Sequence, residues 1–192
     1  MDQDAVPANT DAQSPNPETA QPVVEYDLEK AAAFKAAIEA QQNMPLAIIA
    51  GVVAALIGAG IWAAVTVATE YRIGWLAVGV GFLVGIAVRK FGKGLSKPFG
   101  FVGAACAFLG CALGNLLSIC GFLAVQEAAP FFQVLAEFLS QPALAVKVMV
   151  ATFTPMDLVF YGIAIYEGYK FSFREITSEE LASLTKPAEA AT

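Results

Sequence analysis

Residues 44–68 read MPLAIIAGVVAALIGAGIWAAVTVA, 25 positions without a charged side chain. A helix rising 1.5 Å per residue crosses about 30 Å of hydrocarbon in roughly 20 residues. This stretch therefore predicts a membrane span. Asn43 precedes it as an N-cap, and Pro45 falls in the first turn, where a missing N–H leaves no bond unmade. Trp62, toward the far end, is expected at the headgroup interface.

Working outward, two further runs have the same character. Residues 73–88 (IGWLAVGVGFLVGIAV) lie between Arg72 and Arg89–Lys90. They are short, but flanking bases can snorkel and lengthen a span. Residues 99–125 (FGFVGAACAFLGCALGNLLSICGFLAV) are again uncharged. A fourth span is predicted over 155–173. Thr154-Pro155-Met156-Asp157 has the form of a helix start, with a Thr cap, Pro at the first position and an acid three residues after the cap. Glu167 and Lys170 then fall in its last turns, with Tyr166, Tyr169, Phe171 and Phe173 as an aromatic belt.

Between the third and fourth spans, residues 130–140 place Phe131, Val134, Leu135 and Phe138 on one stripe and Gln133, Glu137 and Gln141 on another. Residues 142–153 are apolar apart from Lys147. Both read as helices lying in the interface. A fifth crossing within 126–153 would bury Lys147 and Pro142. The expected fold is an all-α integral membrane protein, a bundle of four transmembrane helices with additional interfacial amphipathic helices.

Composition agrees. Of 192 residues, 57% are hydrophobic and 15% charged, against about 25% charged in a soluble domain. There is no His, so no site can rely on imidazole. The net charge of −6 excludes a basic nucleic-acid binder, and it is unevenly placed. Residues 1–43 hold eight acids and two bases, whereas residues 44–192 are neutral. Residues 1–22, rich in Pro, Asn, Gln and Asp, are expected to be a disordered acidic tail. They lack the basic start and early apolar run of a signal peptide, so the first span is expected to serve as an uncleaved signal. Residues 23–43 read as an amphipathic lead-in helix with Ala31, Phe34 and Ile38 on one side, or as a merely solvated one. Residues 174–192 form a C-terminal tail with a second cap signature at Thr177–Glu180.

Orientation follows from Lys and Arg. The segment 89–97 carries Arg89, Lys90, Lys93 and Lys97 and no acid. With both termini cytoplasmic, nine bases lie inside and two, Arg72 and Lys147, outside. The positive-inside rule therefore predicts an inner (plasma) membrane protein with N- and C-termini in the cytoplasm. The same four bases are expected to meet anionic lipid headgroups.

The candidate chemistry is sparse. Gly92-Lys93-Gly94-Leu95-Ser96 is not a phosphate loop, because Ala87 stands where the first Gly is needed and Gly94 follows the Lys. Cys106, Cys111 and Cys120 share one helix at spacings that prevent pairing, and read as small packing residues. No catalytic, cofactor or metal residue is expected. Gly81/Gly85 and Gly110/Gly114 form G-x-x-x-G pairs that let backbones approach, within a chain or between chains. Gly51/Ala55 and Gly60/Ala64 add the same spacing in the first span. Asn115 and Ser118 are the candidate polar pair at membrane depth, with an interhelical hydrogen bond as their plain role.

Gly85-x-Ala87-Val88-Arg89-x-x-Gly92-Lys93-Gly94, the small-residue third span and Asp157-x-x-Phe160-Tyr161-x-x-Ala164-x-Tyr166-x-x-Tyr169-Lys170 resemble a group of uncharacterised bacterial multi-pass membrane proteins. The resemblance covers residues 70–173 and implies a bacterial inner-membrane setting, with no activity to transfer. The expected function is a non-enzymatic structural or interaction component, partnered by the bilayer and by further copies or other membrane proteins. A conduit for a small solute or ion, with Asn115 and Ser118 near its pore, is the alternative.

Overall fold

The computed structural model describes residues 27–71 and 73–183. The expected disordered tail over 1–22, residues 23–26, Arg72 and the last nine residues lie outside the described residues. Within them the regular structure is helical, with no strand: α1 (Leu28–Gln41), α2 (Met44–Thr69), α3 (Trp75–Gly92), α4 (Lys97–Gln126), α5 (Phe131–Ser140), α6 (Pro142–Thr152), α7 (Pro155–Lys170) and α8 (Ser178–Ser183).

Local signals set the helix starts. The Asn43 side chain accepts the Leu46 N–H at 2.9 Å, with Pro45 in the first turn of α2. Thr154 and Asp157 make a reciprocal capping box on α7. Thr154 N–H donates to the Asp157 carboxylate at 2.8 Å, and Asp157 N–H donates to Thr154 Oγ1 at 3.4 Å. Asp27 caps α1 by accepting the N–H groups of Glu29 and Lys30. The Lys30 N–H, chiefly, holds the Asp27 carboxyl below its ordinary value. The Thr177–Glu180 signature opens α8, with Thr177 N–H donating to the Glu180 carboxylate at 3.0 Å.

Among the described residues three helices, α2, α3 and α4, are long and apolar enough to cross a membrane. The helices α5 and α6 meet at 106° around Gln141 and pass the same test only as one broken span. The expected fourth span differs most. α7 ends at Lys170, so its 16 residues reach about 24 Å and fall short of about 30 Å of hydrocarbon. Phe171 and Phe173 follow as packed residues outside the helix, their rings 5.0 Å from Phe82 and 5.1 Å from Tyr169. Conversely α3 runs beyond the expected residue 88 to Gly92. Arg89 and Lys90 thus ride its last turn, where cations suit the carbonyl end of the dipole. Lys93 ends it in the left-handed conformation with φ 50°.

The contacts fix direction. Gly51 meets Cys106, Trp62 meets Gly114 and Val67 meets Gly121, so α2 and α4 run parallel. Gly58 meets Val80 and Gly92 meets Ala47, so α3 runs against α2. Gly81 meets Ala164 and Gly85 meets Phe171, so α7 runs with α3. α3 and α4 pack on each other, and α2 and α7 each pack on both. The start of α2, the end of α3, the start of α4 and the end of α7 thereby share one end, here termed the basic end. The core between these helices is built from small side chains, with Ala47, Ala77, Val84, Val88, Ala107, Cys111 and Ala164 fully buried.

Trp62 is a correction to the interfacial expectation. It is 7% exposed, lies on Gly114 and sits edge-on to Tyr161 with centroids 6.5 Å apart. A glycine opposite leaves room for an indole that would otherwise point to the headgroups. Trp75, at the start of α3, is the exposed indole.

Candidate functional site

The glycine pairs are partnered within the chain. A Cβ on Gly81 would stand 2.3 Å from the Ala164 carbonyl oxygen, and one on Gly85 2.7 Å from Phe171 Cβ. That face of α3 therefore lies on α7. Gly110 fits against Val80 and Ala55, and Gly114 against the Trp62 indole, so the second pair seats α4 on α3 and α2. Gly103 and Gly168 meet backbone to backbone, with each Cβ position within 2.7 Å of the other's carbonyl oxygen. Close approach of this kind supplies packing where lipid gives no hydrophobic drive. Gly60 differs. A Cβ there would meet nothing within 4 Å. With Ala63, Ala64, Val67 and Ala68 of α2, Leu117 and Gly121 of α4 and Phe131 of α5, it lines an outward-facing apolar cleft of about 610 Å³. A second cleft, about 450 Å³, opens between α4, α6 and α7 around Phe108, Met149 and Tyr161.

Asn115 lies about 5 Å from the midpoint of α4, on the side away from the basic end. Cys111 lies level with Ala77, the third residue of α3, and accepts the Tyr161 hydroxyl at 3.0 Å through its carbonyl. Asn115 is four residues further along α4, about 6 Å beyond that level. Asn115 and Ser118 are both buried, and with Thr152 of α6 they line a cleft of about 230 Å³. Ser118 donates to the Gly114 carbonyl of its own helix at 2.7 Å rather than across to a neighbour. The Thr152 hydroxyl turns likewise to the Val148 carbonyl, at 3.0 Å.

The four bases separate into two kinds. Arg89 is ion-paired with Glu175 of the C-terminal segment. Lys90, Lys93 and Lys97 are exposed, and among the described residues no carboxylate lies within ion-pair distance of them. The loop beneath is tied from both sides. Asn43 N–H donates to the Gly92 carbonyl at 2.9 Å, and Arg174 N–H donates to the Gly94 carbonyl at 2.9 Å. Gly94 is needed sterically, because a Cβ would stand 2.0 Å from the Phe99 ring. Arg174 itself pairs with Glu180 at 2.6 Å.

All three cysteines are buried and unbridged. Among the described residues no group of three Cys, Asp or Glu is placed to hold a metal ion. Sequence reading missed Tyr161 as a structural centre. Besides its bond to Cys111, its ring sits edge-on to Phe108 and Phe153 at 6.2 and 5.6 Å. A hydroxyl inside an apolar run was the available signal, since a buried Tyr needs a partner for its O–H. The Arg89–Glu175 pair was also missed, because its partners stand 86 residues apart and leave no local pattern.

No protein-family model, curated protein or solved structure matches this chain.

Proposed function

We propose that the chain is an integral inner-membrane protein of bacterial type, a four-span bundle of α2, α3, α4 and α7 with α5 and α6 at the interface. In this reading it works as a non-enzymatic structural or interaction component. The outward faces support the membrane setting. Ile49, Val53, Leu56, Ile57 and Ile61 of α2, and Leu158 and Val159 of α7, are about half exposed. A soluble surface rarely carries apolar patches of that extent. The short α7 is served by its flanks, with Lys170 and the Phe171–Phe173 aromatics at headgroup level. Lys30, Lys35, Lys90, Lys93, Lys97, Lys170 and Arg174 gather toward the basic end, which supports placing that end and both termini in the cytoplasm.

The observation that carries the interaction reading is the open Gly60 face. The Gly51/Ala55, Gly81/Gly85 and Gly110/Gly114 pairs are filled by neighbouring helices of the same chain, whereas Gly60, Ala64 and Ala68 front the 610 Å³ cleft. A second copy or another membrane helix fits there by the close-approach packing used inside. Gly60→Leu is expected to reduce association in proteoliposomes by at least tenfold while leaving the stability of the single chain within about 1 kcal/mol. Unchanged association would refute the assignment of that face. The Asn115–Ser118–Thr152 cleft favours the conduit as a second reading. Wild-type liposome flux of a small solute or ion that vanishes in a stable, assembled Asn115→Ala protein would displace the structural reading.

A further inference from the structure

We propose that the cleft between α4, α6 and α7 seats one acyl chain of an anionic phospholipid from the outer leaflet, with the headgroup phosphate on Lys147. Three observations carry this. The first is the direction of the cleft. Its α7 wall is Leu158, Tyr161, Gly162 and Ile165, a stripe at i, i+3, i+4 and i+7 that runs about 10 Å along the helix. Phe108 and Ala112 form the facing wall on α4. The groove therefore runs with the spans, as a lipid chain does. α7 begins at the end opposite the basic end, and α6, which leads into that start, forms the third side.

The second observation is the chemistry of the walls. Every lining side chain is apolar except Tyr161, whose hydroxyl donates to the Cys111 carbonyl at 3.0 Å. A polar solute would leave its hydrogen bonds unmade there, at a cost that a hydrocarbon chain does not meet. Gly162 keeps the groove open, because a Cβ on it would meet nothing within 4 Å. The volume of about 450 Å³ is of ligand size. The third observation is charge. Lys147 is the sole base between Lys97 and Lys170, and it interrupts an otherwise uncharged helix. It is exposed, and among the described residues no carboxylate lies within ion-pair distance of it. It follows Val146 and stands one turn before Val150, both in the groove wall, so its stem rises from the edge of that face. A base on the outer side runs against the positive-inside rule. An anionic headgroup above the groove supplies the complementary charge. The site rests on the membrane placement proposed above and is independent of the Gly60 face.

The test uses the full chain in vesicles, with Phe153→Trp as a reporter in the groove wall and Trp75→Phe to remove the exposed native indole. Trp62 is buried and gives a constant background. Phosphatidylglycerol and phosphatidylcholine with dibrominated chains are compared as quenchers. Bromine quenches an indole close to contact, so lipid gathered at the basic end is not read. One lysine beside an anionic headgroup favours it about fivefold, and phosphatidylglycerol should reach half-maximal quenching at about one fifth of the mole fraction that phosphatidylcholine needs. Lys147→Gln should make the two lipids equal, and Lys147→Arg should keep the preference. Gly162→Leu fills the groove and should reduce quenching by both. Equal quenching by the two lipids with Lys147 in place overturns the headgroup assignment and leaves ordinary lipid contact. Quenching of Trp75 in the wild-type chain with none at Phe153→Trp overturns the lipid site in favour of a protein helix in the groove. Absence of quenching at both indoles overturns the membrane placement, and the site with it.

Discussion

Gly81→Ala adds one methyl group at the tightest helix contact of α3. The new Cβ stands 2.3 Å from the Ala164 carbonyl oxygen and 2.7 Å from its Cα, where ordinary contact begins at 3.4 Å. The obstacle is backbone, so no side-chain rotation relieves it, and α3 and α7 must part by about an ångström. Overpacking of this kind costs about 1–3 kcal/mol, and a rigid neighbour places it at about 2–3 kcal/mol. That corresponds to a roughly 30- to 150-fold shift toward the unfolded state. Gly79, two residues earlier on the same helix, has nothing within 4 Å of its Cβ position. Gly79→Ala therefore changes only helix propensity, for which Ala gains roughly 0.5–1 kcal/mol over Gly. Reversible unfolding of both variants in bicelles, followed by circular dichroism against denaturing detergent, gives the comparison. The pair should differ by about 2–3 kcal/mol. Equal stability of the two variants would refute the close packing of α3 on α7.

Thr154→Ala removes one half of the capping box on α7. It should destabilise the first turn by about 0.5–2 kcal/mol, read as faster hydrogen exchange at the Asp157 amide, with Thr154→Ser restoring protection. Tyr161→Phe keeps the ring contacts but deletes the bond to the Cys111 carbonyl, for an expected loss of about 0.5–1.5 kcal/mol in the same unfolding assay. Glu175→Gln should change stability by less than about 1 kcal/mol, because the Glu175 side chain is 81% exposed and a surface ion pair contributes little.

What the sequence disclosed follows the range of each signal. The uncharged run after Asn43 and the Thr154–Asp157 cap act within one or two turns, and both gave helix starts that the structure places at Met44 and Pro155. The helix α3 continues four residues past the uncharged run 73–88, through Arg89 and Lys90 to Gly92, because a helix can keep its backbone bonds beyond the hydrocarbon and hydropathy does not mark where they stop. Glycine spacing identified faces at Gly81/Gly85 and Gly110/Gly114 but not their partners. Spacing describes one helix, whereas the choice of α7 over α2 depends on all four. Trp62 and Ser118 show the same limit. The indole is buried because Gly114 opposes it, and the hydroxyl turns to the Gly114 carbonyl because its own helix offers a nearer acceptor.

Membrane sidedness tests the central claim most directly. Single cysteines at Ser96, Ser183 and Glu137 occupy the basic end, the C-terminal segment and the α5 surface, all exposed. With a membrane-impermeant thiol reagent on intact cells, Glu137→Cys should react at once. Ser96→Cys and Ser183→Cys should react only after the membrane is opened. Reaction of Glu137→Cys on the same side as Ser96→Cys would contradict a bundle whose two ends face opposite compartments.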